Sequence, residues 1–89
     1  MSKLETILTL VDEYIKECEA GEDWTPGEDW IAYSGNVYNS DEYVAAVESL
    51  LSRWLVLGKK GRQFEVEFPQ HLGKTHGVLT NSGSSANLL

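Results

Sequence analysis

The ten residues Thr80-Asn81-Ser82-Gly83-Ser84-Ser85-Ala86-Asn87-Leu88-Leu89 carry the clearest chemical signal in this sequence. A short apolar run enters them, small residues turn the chain, and a helix-forming composition follows. That order suits an anion such as phosphate. The N–H groups of a first helical turn have no partner inside the helix, and the helix dipole adds partial positive charge around them. Ser84 and Ser85 bring hydroxyl donors, and Gly83 lets the backbone come close to the ligand. An ordinary serine cap on a helix that follows a turn has the same composition, so residue types alone leave both readings open.

Other chemistries find no support. There is no Gly-x4-Gly-Lys-Ser/Thr loop and no Gly-x-Gly-x-x-Gly fingerprint. Ser82, Ser84 and Ser85 lack the Gly-x-Ser-x-Gly frame of a hydrolase nucleophile. Cys18, His71 and His76 have no metal-ligand spacing, so no metal site is expected. The carboxylates are abundant, but no pair stands out from a solvated face.

Elements must position that loop. Leu4, Ile7, Leu8, Val11, Tyr14, Ile15 and Cys18 recur at helical spacing, which predicts a helix over about 3–20 with Cys18 on its core stripe. Ser2 and Glu5 have capping-box spacing, and Gly21 stands where the helix should stop. Residues 21–38 break the rhythm. Pro26-Gly27 marks a turn, and Trp24, Trp30, Tyr33 and Tyr38 form an aromatic loop expected to dock against another surface. Asn39 and Ser40 open a second helix over about 40–56, with Asp41 and Glu42 favouring its positive end and Gly58 ending it. Phe64, Phe68 and Leu72 predict a third helix over about 61–72, kinked or shortened by Pro69. His76-Gly77-Val78-Leu79-Thr80 reads as a strand near 75–80, followed by a loop and the start of a fourth helix.

The chain has 89 residues and a net charge of −7, room for one small domain. Residues 1–52 hold twelve acidic and two basic groups (−10), and residues 53–89 hold two acidic and five basic (+3). The acidic first half argues against nucleic acid or an anionic membrane as partner. One cysteine cannot build a disulfide framework, no secretory leader is visible, and no apolar run could span a bilayer, so a cytoplasmic location is expected. A strand without a sheet and a helix stopping in its first turn bury little. The chain therefore reads as an N-terminal fragment cut at 89, with 1–38 as an N-terminal helix and aromatic loop and 39–89 as the start of a large domain.

The string Asn81–Leu89, preceded by Trp54-Leu55-x-x-Gly58, Phe64-Glu65-x-x-Phe68, Ser34-Gly35-x-Val37 and Asp41-Glu42, closely resembles the DegT/DnrJ/StrS sugar aminotransferases and dehydratases. The resemblance covers roughly residues 33–89 and points most to the branch of nucleotide-linked 4-keto-6-deoxyhexose 3-dehydratases of lipopolysaccharide synthesis. It implies an α/β enzyme of pyridoxal-phosphate fold type I, with a central mixed sheet and a homodimeric parent. This chain would supply three helices, one strand and a helix start. The implied cofactor is pyridoxal or pyridoxamine phosphate, with its phosphate on Gly83, Ser84 and Ser85. The implied substrate is a nucleotide-linked keto-sugar, aminated or stripped of its C3 hydroxyl. The cofactor lysine (histidine in the 3-dehydratases) and the acidic partner of the pyridine nitrogen would lie beyond residue 89, as would cysteines for any iron–sulfur cluster. No catalytic residue is thus expected within the chain, and Lys74 is not the anchoring lysine. Pro69 departs from the family, which carries a helix former there. The alternative is a small acidic, non-catalytic interaction module.

Overall fold

The computed structural model describes all 89 residues, Met1–Leu89, and contains four helices and no strand. Two compact units form, Met1–Arg53 and Trp54–Leu89.

Helix α1 spans Lys3–Ala20. Its capping box forms as expected: the Glu5 N–H donates to the Ser2 hydroxyl at 3.1 Å and the Ser2 N–H donates to Glu5 Oε2 at 2.6 Å. Gly21 ends the helix in a right-handed conformation, with φ of −88°. Helix α2, Ser40–Leu51, starts with a second capping box, between Asn39 and Glu42. The two helices pack together, with Leu8, Val11 and Ile15 of α1 and Val44, Ala45 and Val47 of α2 half-buried. No hydrophobic side chain in the protein is fully buried. Each of these therefore yields only part of the roughly 1.5–3 kcal/mol that complete burial of a large apolar side chain provides.

A polar bridge reinforces the α1–α2 contact. The Ser40 hydroxyl, on a residue only 3% exposed, donates to Asp12 Oδ1 at 2.6 Å, while Lys16 Nζ donates to Asp12 Oδ2 at 2.7 Å. Lys16 first, and then the Ser40 hydroxyl, hold the Asp12 carboxyl below its ordinary value of 3.8. A lowered folded value means that the unfolded chain binds the proton more readily. The stabilisation is complete above the ordinary value and disappears as pH falls through the lowered one. Replacing Ser40 with alanine is expected to cost about 0.5–1.5 kcal/mol and to flatten this acid-side dependence. Amide exchange in the first turn of α2, followed from neutral to acid pH in both proteins, checks it. Equal protection in the two would show that the bridge contributes nothing.

Three sequence expectations change in unit one. Cys18 is exposed rather than in a core, because so small a helix pair covers only one flank of the apolar stripe. The aromatic loop finds nothing to dock on, and Trp30 and Tyr33 remain 85% and 102% exposed. Only Tyr38 makes a ring contact, edge-to-face with Tyr43 at 5.4 Å. The turn at Pro26-Gly27 does form, and Gly27 has the positive φ of 83° that glycine tolerates best. Finally, α2 stops at Leu51 instead of about 56. The Ser52 hydroxyl donates back to the Ser49 carbonyl, and Arg53 turns left-handed at φ 62°.

In unit two, Gly58 does not end a helix but caps the start of α3, Lys59–His71. The indole N–H of Trp54, placed off α2, donates to the Leu57 carbonyl at 3.1 Å. Pro69 does not break α3, which runs two residues past it to His71. The helix then closes with a Schellman motif. The Lys74 N–H donates to the Pro69 carbonyl at 2.8 Å and the Gly73 N–H donates to the Gln70 carbonyl at 3.1 Å, with Gly73 at φ +66°. Phe64 and Phe68 stack along the helix at 4.8 Å.

The strand expected at 75–80 does not form. Residues 76–80 carry no regular structure, since a ladder needs a neighbouring strand and these 89 residues contain none. The segment instead lies against α3. A Cβ on Gly77 would come within 2.5 Å of Pro69 Cγ and 3.0 Å of the Glu65 carbonyl oxygen. Gly77→Ala is therefore expected to push the segment off α3 at a cost of about 1–3 kcal/mol. Chemical-shift changes confined to the α3 C-terminal turn and residues 74–79 would register it. An unperturbed spectrum would mean that the close approach is not needed.

Candidate phosphate-binding loop

Helix α4 spans Gly83–Leu88 and begins at the small-residue loop. Ser82 is its N-cap: the Ser82 hydroxyl oxygen accepts the Ser85 N–H at 3.1 Å, and the Ser82 carbonyl accepts the Ala86 N–H at 3.1 Å. The serine cap that composition suggested is thus present. It uses Ser82 and the N–H of Ser85, and no hydrogen bond within the chain engages the N–H groups of Gly83 and Ser84 or the Ser84 hydroxyl.

The three residues singled out from the sequence therefore differ in state. Gly83 is exposed, and a Cβ there would meet nothing within 4 Å. Its φ is not in the left-handed region, so glycine provides access here rather than relief of strain. Ser84 is exposed, with its hydroxyl unengaged. Ser85 is half-buried and committed: its hydroxyl donates to Asn81 Oδ1 while its N–H serves the cap. A ligand oxygen can be met by Gly83 and Ser84 as they stand, whereas Ser85 must first release Asn81.

Two neighbours were missed from the sequence. Asn81 receives the Ser85 hydroxyl, and its Oδ1 also lies 3.4 Å from the Ser82 hydroxyl. The Thr80 hydroxyl donates to the Ser82 carbonyl at 2.9 Å and so pins the turn before the helix. An asparagine four residues before a serine across a helix start was the available signal. The open N–H pair, the unengaged hydroxyl and the clear space at Gly83 suit the phosphate of a cofactor. Gly83 and Ser84 have no further protein partner that such a group would need to displace.

A hollow lies elsewhere in the same unit. It is a groove of about 280 Å³ floored by Phe64, Phe68, Leu72, Val78 and Leu79, with Lys74 and His76 also lining it. No group of three or more His, Cys, Asp or Glu side chains gathers anywhere as a metal site would require. No helix is long and apolar enough to cross a membrane.

Comparison with known proteins adds an independent line. The profile of the DegT/DnrJ/EryC1/StrS aminotransferase family matches residues 37–89. The lipopolysaccharide biosynthesis protein RfbH of Salmonella typhimurium is 35% identical over 85 residues, which is 96% of this chain and 20% of that protein. The dTDP-4-dehydro-2,6-dideoxy-D-glucose 3-dehydratase of Saccharopolyspora spinosa is 41% identical over 83 residues, 93% of this chain and 18% of that protein. The spore coat polysaccharide biosynthesis protein SpsC of Bacillus subtilis is 37% identical over 60 residues, 67% of this chain and 15% of that protein. The matched stretch thus spans 15–20% of the length of these curated relatives. The first two similarities reach into the N-terminal helix and aromatic loop, beyond the 33–89 stretch on which the sequence resemblance rested. No solved structure matches the chain.

Proposed function

Because this chain belongs to the DegT/DnrJ/EryC1/StrS aminotransferase family, we propose that it forms the N-terminal part of a pyridoxal-phosphate-dependent enzyme acting on nucleotide-linked keto-deoxysugars. The observation that carries this reading is the match of residues 37–89 to the family, which includes the whole loop around Gly83, Ser84 and Ser85. Among the relatives, one is named as a nucleotide-sugar 3-dehydratase and one as a lipopolysaccharide biosynthesis protein. The proposed setting is accordingly cell-surface sugar synthesis, and a cytoplasmic homodimer is the form that the family resemblance implies for the parent. Residues 39–89 open its cofactor-binding large domain, and the sheet of that fold type is completed by chain outside these 89 residues.

In this reading the cofactor, when bound, supplies an electron sink for amination or for loss of the sugar's C3 hydroxyl. The residues present here bind and orient. The Gly83 and Ser84 N–H groups and the Ser84 hydroxyl hold the phosphate at the start of α4, and the helix dipole favours its negative charge. Ser85 joins them once its hydroxyl leaves Asn81. The group that anchors the cofactor covalently or replaces such a lysine belongs to another part of the enzyme, so no residue of this chain is assigned a catalytic role. The test is a cofactor titration, followed by absorbance, on the enzyme extended to its relatives' length. Saturable binding that depends on the loop supports the reading, and no binding overturns it.

The 89-residue chain on its own is expected to behave differently. With no fully buried apolar side chain and with Trp30, Leu55 and Val78 among the many that are largely exposed, it should bind apolar dyes and unfold without a sharp transition. A steep cooperative transition worth several kcal/mol would show that these residues form a self-sufficient domain.

A further inference from the structure

We draw no further inference here: the strongest candidate, the apolar groove between α3 and residues 74–79 floored by Phe64, Phe68, Leu72, Val78 and Leu79, is an unpartnered face and nothing in the structure shows what covers it.

Discussion

Replacing Gly83 with valine in the proposed enzyme, extended to its relatives' length, is expected to weaken cofactor binding by more than about a hundredfold while leaving the local fold intact. The space around Gly83 is open, so the valine side chain meets no protein atom within 4 Å of its Cβ. The backbone there is not left-handed, so no strain arises from the exchange. What the side chain occupies is the approach to the Gly83 and Ser84 N–H groups. Each hydrogen bond to a charged group is worth roughly 1.5–3 kcal/mol, and losing two exceeds the 2.8 kcal/mol that corresponds to about a hundredfold. Titration of the apoenzyme with pyridoxal phosphate, alongside circular dichroism of the same sample, separates binding from folding. Wild-type affinity in a folded variant would show that the phosphate does not sit on this turn.

Replacing Ser84 with alanine is expected to weaken cofactor binding by about tenfold to a hundredfold, the equivalent of one charge-assisted hydrogen bond of roughly 1.5–3 kcal/mol. The Ser84 hydroxyl has no partner in the chain, so its loss leaves the loop's own bonds in place. Ser85→Ala should act differently. It deletes the donor to Asn81, and the loss in affinity comes mixed with a loosened turn. The Ser84 variant should therefore keep wild-type thermal stability without cofactor, whereas the Ser85 variant should lose some of it. If Ser84→Ala binds cofactor as tightly as wild type, its hydroxyl does not touch the phosphate.

Where a local rule suffices, the sequence was a good guide. Helix α1 is bounded by Ser2 and Gly21, as its apolar spacing and capping box require, because both signals act within four residues of the atoms they satisfy. The same holds for Asn39, which caps the start of α2. The loop was legible for the same reason. Small residues after a short apolar run start a helix whose first N–H groups lack internal partners.

Other features depended on partners distant in sequence. Whether Thr75–Thr80 becomes a strand depends on a neighbour that could complete its ladder, and without one the segment lies on α3 through the Gly77–Pro69 approach. Whether Cys18 and Trp30 are core or surface depends on how much apolar area the surrounding chain covers, and here it covers too little. The difference between Ser84 and Ser85 is also tertiary. The two are adjacent residues of one type, and only the position of Asn81 across the turn engages one hydroxyl and leaves the other open. Residue type and spacing determined both ends of α1, the start of α2 and the small-residue turn, because those are decided by atoms a few bonds apart, whereas the early end of α2 and the place of Gly58 at the start of α3 were not legible in the sequence. The absent strand, the exposed aromatics and the division of labour between the two serines were decided only by the three-dimensional arrangement, because ladder bonds, burial and side-chain hydrogen bonds each need a second partner brought into place.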